Sequence, residues 1–435
     1  VLADTIFALS SAPGKAGVAV IRVSGPRARE SIKRLTGRPP PQPRTAMLRN
    51  MCDAEGSLID RGLVLWFPAP HSFTGEDAAE FQVHGGRAVV LAMLRALESI
   101  DGCRPAEAGE FTRRAFDHDR MDLTEVEGLA DLIDAETSAQ LRLAQQQASG
   151  VLARLIEQWR ERLIRVLAYL EAEIDFPEDD LPGGLSERMR REVETLVGEF
   201  GRLLEDAVRG ERLRDGFSVA IIGAPNAGKS SLLNALVARD IAIVSSIPGT
   251  TRDIVEAHLD LGGYPLILAD TAGLRESADS IESEGIRRAL ARAEAADLRL
   301  VVIDAGEPQL PPNVYENESI FVFNKIDENP GALAPPGSIA VSALTGAGLA
   351  TLKRKLLDWL QAQDGSGAPP LVARERQRVA LTRCRDALVA ALVQQAVELT
   401  AENVREAVRA LGRLTGRVDP EGLLDVIFRD FCIGK

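Results

Sequence analysis

Gly223-Ala224-Pro225-Asn226-Ala227-Gly228-Lys229-Ser230 follows the apolar run Phe217-Ser218-Val219-Ala220-Ile221-Ile222 and leads into Ser231-Leu232-Leu233-Asn234-Ala235-Leu236. Read outward, the pattern is buried strand, glycine-rich turn and helix, which is the context a phosphate loop needs. Glycines let backbone N–H groups curl around a phosphate at a helix start, where donors lack intrahelical partners and the dipole is positive. Lys229 is placed to reach the β- and γ-phosphates, and Ser230 to ligate Mg²⁺. Alone, such a loop implies a nucleotide and no particular function, and a glycine-rich turn can match by chance.

Further motifs follow in order. Asp270-Thr271-Ala272-Gly273 closes the apolar run Leu266-Ile267-Leu268-Ala269, putting a carboxylate at a strand end to hold Mg²⁺ through water and a glycine N–H near the γ-phosphate. Asn324-Lys325-Ile326-Asp327 follows Ile320-Phe321-Val322-Phe323; Asp327 can accept from N1–H and the 2-amino group of guanine, donors that adenine does not offer. Ser342-Ala343 follows Ile339-Ala340-Val341, where a further base-contacting turn belongs. Ser245-Ser246-Ile247-Pro248-Gly249-Thr250-Thr251-Arg252-Asp253 lies between the phosphate loop and Asp270, where a first switch is expected, with Thr251 as a second Mg²⁺ hydroxyl. Four motifs at strand ends in this order specify GTP. Leu274 stands where Ras-like enzymes usually place a water-orienting Gln, so hydrolysis must be slow or use another group; Glu276, Asp279, Glu282 and Glu284 are the nearby carboxylates.

At 435 residues the chain exceeds one ordinary core, and two or three domains are expected. Residues 1–118 alternate strand-like runs (Val18 to Val23, Gly62 to Phe67) with turns and one amphipathic helix, Ala88 to Leu97, and read as α+β. From 119 to 214 helical periodicity takes over: apolar residues recur at Val151, Leu155, Trp159, Leu163, Leu167 and Leu170, and another helix is read from Ser186, its N-cap, to Val208. The α/β segment 215–362 is then inserted, and 363–435 resumes the helical pattern after the linker Asp364-Gly365-Ser366-Gly367-Ala368-Pro369-Pro370.

A net charge of −13 argues against a coat for nucleic acid, and the arginines between Arg374 and Arg385 read first as a solvated helix face. Cys52, Cys103, Cys384 and Cys432 are far apart and fit reduced thiols rather than a disulfide frame or zinc site. Val1 in place of Met reads as a trimmed start. With no leader after it and no apolar run near the roughly eighteen residues of a membrane span, a cytoplasmic protein without membrane contact is expected. Arg22 inside an apolar strand, Glu80 before Phe81, and Arg120 after Glu110-Phe111-Thr112-Arg113-Arg114 each read singly as surface residues. Cys432 has no nearby His to make it a nucleophile, and Lys435 sets an ammonium beside its own terminal carboxylate.

Taken together, these stretches resemble the tRNA-modifying GTPase family MnmE, also called TrmE. The resemblance rests on Pro13-Gly14 with Gly17-Val18, Ser72-Phe73-Thr74-Gly75-Glu76-Asp77, His84-Gly85-Gly86, Gly109-Glu110-Phe111-Thr112, the phosphate loop, Gly249 to Asp253, Asp270 to Glu276, and the ending Phe431-Cys432-Ile433-Gly434-Lys435. It implies an N-terminal domain that binds tetrahydrofolate and dimerises, a helical domain, and an inserted Ras-like P-loop GTPase domain. It also implies a FAD- and NADH-using partner, MnmG. The pair adds an aminomethyl or carboxymethylaminomethyl group to C5 of the wobble uridine of certain tRNAs, with 5-formyl- or methylene-tetrahydrofolate as one-carbon source. The family's folate contacts fall on Arg22, Glu80, Arg120 and Lys435. Its K⁺ ligands fall on Asn226, Ser245, Ile247 and Thr250, and its water-positioning carboxylate on Glu282. The implied GTP contacts are Asn226, Ala227, Gly228, Lys229, Ser230 and Ser231, Ser245 through Thr251, Asp270 through Gly273, Asn324, Lys325, Asp327, Ser342 and Ala343. Arg120 stands where Lys is expected and Ser246 where Asp is expected. Two other readings share these motifs: a regulatory GTPase that reports an assembly state, and a folate-dependent one-carbon transferase in which GTP is incidental.

Overall fold

The computed structural model of the chain describes residues 4–175, 185–238, 242–243, 256–270, 295–308, 318–365, 367–418 and 434. Two compact units form, one from residues up to 130, 148–167 and from 404 onward, the other from 131–147 and 168–403.

In the first unit the chain runs β1 (Thr5–Leu9), β2 (Ala16–Ser24), α1 (Ala28–Thr36), β3 (Met47–Cys52), β4 (Leu58–Phe67), β5 (Ala78–Gly85), α2 (Arg87–Glu98), β6 (Cys103–Pro105) and α3 (Glu110–Asp117). The strands build a six-stranded sheet in the order β3-β4-β5-β2-β1-β6, antiparallel except where β6 runs parallel to β1. Alternation decides the two faces. Ala19, Ile21 and Val23 of β2 with Phe81 and Val83 of β5 pack on Ile32 and Leu35 of α1 and Met93 and Leu97 of α2. Arg22 and Glu80 are therefore turned to the opposite face, where Ile6 and Ala8 of β1 cluster with Phe111 of α3 and Phe73.

Helices follow: α4 (Leu123–Asp134), α5 (Ser138–Ala148), α6 (Val151–Asp175), α7 (Leu185–Glu205) and α8 (Ala207–Asp215). Two expectations are corrected here. The buried stripe of α6 is Leu152, Ile156, Trp159, Leu163, Val166 and Leu170, while Val151 is exposed. Alternating steps of four and three keep residues on one face, whereas successive steps of four drift around the helix. The helix read from Ser186 to Val208 already includes Leu185 and breaks at Asp206, which separates α7 from α8.

The second sheet comes next in the chain with β7 (Phe217–Gly223), α9 (Lys229–Val237), β8 (Ala242–Ile243), β9 (Glu256–Leu261), β10 (Tyr264–Asp270), β11 (Leu298–Asp304), β12 (Ser319–Asn324) and β13 (Ile339–Ala340). Its described strands are ordered β13-β12-β11-β7-β10-β9-β8. The first five are parallel, β9 runs antiparallel to β10, and β8 runs antiparallel to β9. Strands covered on both faces read as unbroken apolar runs: Leu298 to Ile303 of β11 is buried throughout, Arg299 included. Leu232, Leu233 and Leu236 of α9 and Leu352, Leu356 and Leu360 of α10 (Leu349–Asp364) share one core with Phe217, Val219 and Ile221 of β7. The chain continues through α11 (Glu375–Val393) and α12 (Val397–Thr415). No helix among the described residues is long and apolar enough to cross a membrane.

Candidate functional site

The carboxyl ends of the parallel strands β7, β10, β11, β12 and β13 carry Gly223, Asp270, Asp304, Asn324 and Ala340, the edge at which open α/β sheets bind ligands. Between β7 and α9 the phosphate loop turns with Asn226 in the left-handed region (φ 63°), its side chain exposed. Gly228, the N-cap of α9, has φ 89° and no side-chain cap. A Cβ there would lie 2.3 Å from Asn324 Nδ2, so only glycine fits. The N-cap glycine brings no side chain to the helix start, and Ser230 and Ser231 are exposed on its first turn. Lys229 is only 7 % exposed and donates from Nζ to the carbonyls of Gly223 (3.0 Å) and Ala224 (2.8 Å). This cradle of loop N–H groups and a buried ammonium fits a polyphosphate.

At the base end Asn324 is a brace. Buried to 1 % exposure, it donates from Nδ2 to the Ala227 carbonyl (3.0 Å) and accepts at Oδ1 from the Ala343 N–H (3.1 Å), tying the phosphate loop to the Ser342-Ala343 turn. Ser342 Oγ accepts from the Thr345 N–H at 3.0 Å and rigidifies that turn. Asp327 is exposed in the turn after β12. Sequence reasoning missed Asp304, whose carboxylate stands 2.7 Å from Lys325 Nζ. The signal was there: like Asp270, it ends an apolar strand. Ser245, Ser246, Ile247, Pro248, Gly249, Thr250, Thr251, Thr271, Ala272, Gly273, Glu282, Cys432, Lys435 and the Asp270 side chain lie outside the described residues.

A second constellation lies on the open face of the first sheet. Arg22 and Glu80 are register partners across β2 and β5, and the guanidinium Nε and Nη2 both reach Glu80 Oε1, at 3.1 and 3.0 Å. The Arg22 Cζ lies 5.2 Å from the Phe73 ring centroid and 5.8 Å from that of Phe111, within cation–π range. Arg22, Glu80, Phe67, Phe73, Thr74 and Ala78 line a cavity of about 200 Å³. That is below the usual size of a drug-sized ligand's pocket, so it suits one ring system of a larger molecule. Its aromatic walls and its carboxylate acceptor beside a guanidinium suit a flat heterocycle bearing N–H donors, such as a pterin. Arg120 is exposed, and its stem lies over Gly75, one residue from Thr74. Gly434 is anchored at the end of β1: its carbonyl accepts from Ser10 Oγ at 2.9 Å, and a Cβ on it would lie 2.3 Å from the Leu9 carbonyl. Leu9 follows Ala8, the register partner of Arg22 on that side.

An ionic network beneath the cavity was not foreseen. Arg114 of α3, fully buried, contacts Asp4 (2.9 Å), Glu76 (3.2 Å) and Glu110 (3.0 Å), and Arg104 contacts Asp4 and Glu110. Burial alone would raise the carboxyl groups of Asp4 and Glu110, but the hydrogen bonds and charges of Arg104 and Arg114 outweigh it and hold both below their ordinary values. Ser24 Oγ bridges Thr74 Oγ1 (2.6 Å) and Glu76 (2.7 Å), and Ser72 Oγ donates to the Glu76 carbonyl. The run Ser72 to Asp77 is thus a folded loop that presents Phe73 and Thr74 to the cavity. Cys52, Cys103 and Cys384 are unpaired with one another; burial pushes the Cys103 thiol up to about 11 and raises Cys384 as well, so neither is a ready nucleophile.

Residues 5–120 match the family described as "GTP-binding protein TrmE N-terminus", and residues 123–432 that described as "MnmE helical domain". The chain is 54 % identical over 439 residues, 99 % of its length and 100 % of the other's, to the tRNA modification GTPase MnmE of Parvibaculum lavamentivorans. The chain belongs to the MnmE family. A second MnmE relative, from Azorhizobium caulinodans, is 52 % identical over 436 residues, covering 99 % of both chains. Among solved structures, the G domain of the T. maritima FeoB iron transporter is 30 % identical over 33 % of this chain and 99 % of that one; its TM-score of 0.27 is too low to bear on the fold. As an MnmE-family member the chain combines a TrmE N-terminal domain, a helical domain and a P-loop GTPase domain, and it is a GTP hydrolase that uses Mg²⁺.

Proposed function

We propose that this chain is a K⁺-activated GTPase, working by dimerisation of its GTPase domain, that acts with the FAD- and NADH-dependent MnmG on tRNA. The pair adds an aminomethyl or carboxymethylaminomethyl group to C5 of the wobble uridine from a tetrahydrofolate one-carbon donor. The observation that carries the proposal is the pairing of Arg22 with Glu80 in a lined cavity on the N-terminal sheet, in a chain that also has a complete phosphate loop. A purely regulatory GTPase leaves that cavity without a use. The folate would supply the one-carbon unit, with Arg22, Glu80, Arg120 and Lys435 as its contacts.

In the GTPase domain, residues 215–362, Lys229 and the N–H groups at the start of α9 bind the phosphates, and Asp327 reads the base. Ser230 and Thr251 are the Mg²⁺ ligands; the metal would neutralise charge between the β- and γ-phosphates. Asn226, Ser245, Ile247 and Thr250 are the K⁺ ligands, and the ion would bring the positive charge that an arginine finger brings elsewhere. The exposed crest position of Asn226 suits a ligand approaching from outside the loop. Glu282 orients the attacking water that Leu274 cannot. The N-terminal domain, 1–118, is the dimerisation unit, and 119–214 with 363–435 form the helical domain.

Arg22→Ala tests the folate site. Equilibrium dialysis with 5-formyltetrahydrofolate should show binding weakened by about tenfold or more, the loss of a charge-assisted contact, with binding of labelled GDP as the control for folding. Folate affinity equal to that of the unaltered chain would refute the assignment.

A further inference from the structure

Asp304 ends β11 directly beside Asn324, its register partner at the end of β12, and the Ala305 N–H donates to the Asn324 carbonyl at 2.9 Å. Its two carboxylate oxygens have separate partners. Oδ1 accepts from the Gly306 N–H (2.8 Å) and closes the turn after the strand, whereas Oδ2 accepts from Lys325 Nζ (2.7 Å). Closing that turn takes one oxygen, and the second is directed at the lysine. Lys325 has φ 65°, the left-handed region that a non-glycine residue avoids unless its surroundings hold it there. Its Cε lies 3.9 Å from where a Cβ on Gly228 would stand, so its stem runs alongside the phosphate loop. Lys325 is about a quarter exposed and Asp304 a fifth, so the pair borders the ligand edge without full burial.

We propose that Asp304 is a positioning residue of the guanine-nucleotide site, holding the Lys325 side chain over the phosphate loop so that its stem forms one wall of the slot between Gly228 and the base-contacting turns. The proposal rests on reading Asn324-Lys325-Ile326-Asp327 as the base end of the GTP site. An unrestrained lysine in this place would sweep solvent and lose rotamer freedom on binding; the carboxylate removes that freedom in advance. The mutual charge acts in the same direction: the bond from Asp304 raises the Lys325 ammonium above its ordinary value.

The test is a double-mutant cycle read by titration of fluorescently labelled GDP into the full chain. Asp304→Asn keeps an oxygen for the Gly306 N–H and turns an amide NH₂ toward Lys325, which breaks the pairing and leaves the turn intact. Binding should weaken by about tenfold in Asp304→Asn, by at least as much in Lys325→Ala, and by no more than Lys325→Ala alone in the double variant. Wild-type affinity in Asp304→Asn, with Lys325→Ala impaired, overturns the proposal alone. Full additivity of the two losses also overturns it, because Asp304 would then act independently of the lysine. Wild-type affinity in Lys325→Ala removes the reading of the base end and the proposal with it. Asp304→Glu, which restores the charge on a longer arm, should recover part of the affinity if pairing is the cause.

Discussion

Asn324 shows how a residue expected to contact nucleotide serves the site by holding its walls. Its amide bonds both the phosphate loop, at the Ala227 carbonyl (3.0 Å), and the turn after β13, at the Ala343 N–H (3.1 Å), from a side chain that is almost wholly buried. A carboxylate keeps the acceptor but faces the Ala227 carbonyl oxygen with a second oxygen. Asn324→Asp should therefore destabilise the nucleotide-free GTPase domain by about 1–3 kcal/mol, the cost of leaving a buried polar group unsatisfied beside a charge. It should also weaken GDP binding. Thermal unfolding without nucleotide checks this, and an unchanged transition would mean that the brace does not carry load. Arg22 and Glu80 illustrate the opposite case. Fifty-eight positions apart, each reads alone as a surface charge; the register of β2 on β5 makes them one site.

At the scale of elements, the cavity beside Arg22 and Glu80 depends on the loop from Ser72 to Asp77 and on α3, joined by Arg104, Arg114, Asp4, Glu76 and Glu110. Asp4 and Glu110 have folded values depressed below their ordinary 3.8 and 4.5. A depressed carboxylate stabilises the fold in full above its unfolded value, and that contribution is lost as pH falls through the folded one. Asp122 and Glu125, at the start of α4, have the opposite sign. Burial raises both, despite hydrogen bonds to the backbone N–H groups, so their ionised forms cost stability near neutral pH and acidification relieves that cost. Stability of the N-terminal domain should drop below about pH 4.5, and Glu110→Gln should flatten this acid limb while lowering the neutral plateau. Urea unfolding from pH 3 to 7 measures both; an acid limb unchanged by Glu110→Gln would exclude the network as its source. The sequence showed this loop as a motif without a reason, because its partners Ser24 and Arg114 come from two other elements, β2 and α3. The buried stripe of α6 was misplaced for a related reason: an apolar-rich helix offers two plausible faces, and only packing selects between Leu152 and Val151.

For the whole molecule, the GTPase half was legible because four of its motifs, at Gly223, Asp270, Asn324 and Ser342, follow the apolar runs of parallel strands, so strand, turn and chemistry are contiguous in the chain. The N-terminal half was legible through family resemblance, its constellation being assembled from β2, β5, α3 and the loop between β4 and β5. The two halves give one chain a phosphate loop and a ring-sized aromatic cavity, joined in the proposed function by hydrolysis that depends on K⁺ and on a second copy. The measurement that tests this most directly is the GTP hydrolysis rate of the purified chain in KCl and in NaCl at equal ionic strength, over a range of protein concentrations. The account predicts a rate per chain that rises steeply with K⁺ and with protein concentration. A slow rate indifferent to both would contradict it and point to a GTPase switched by an external activator.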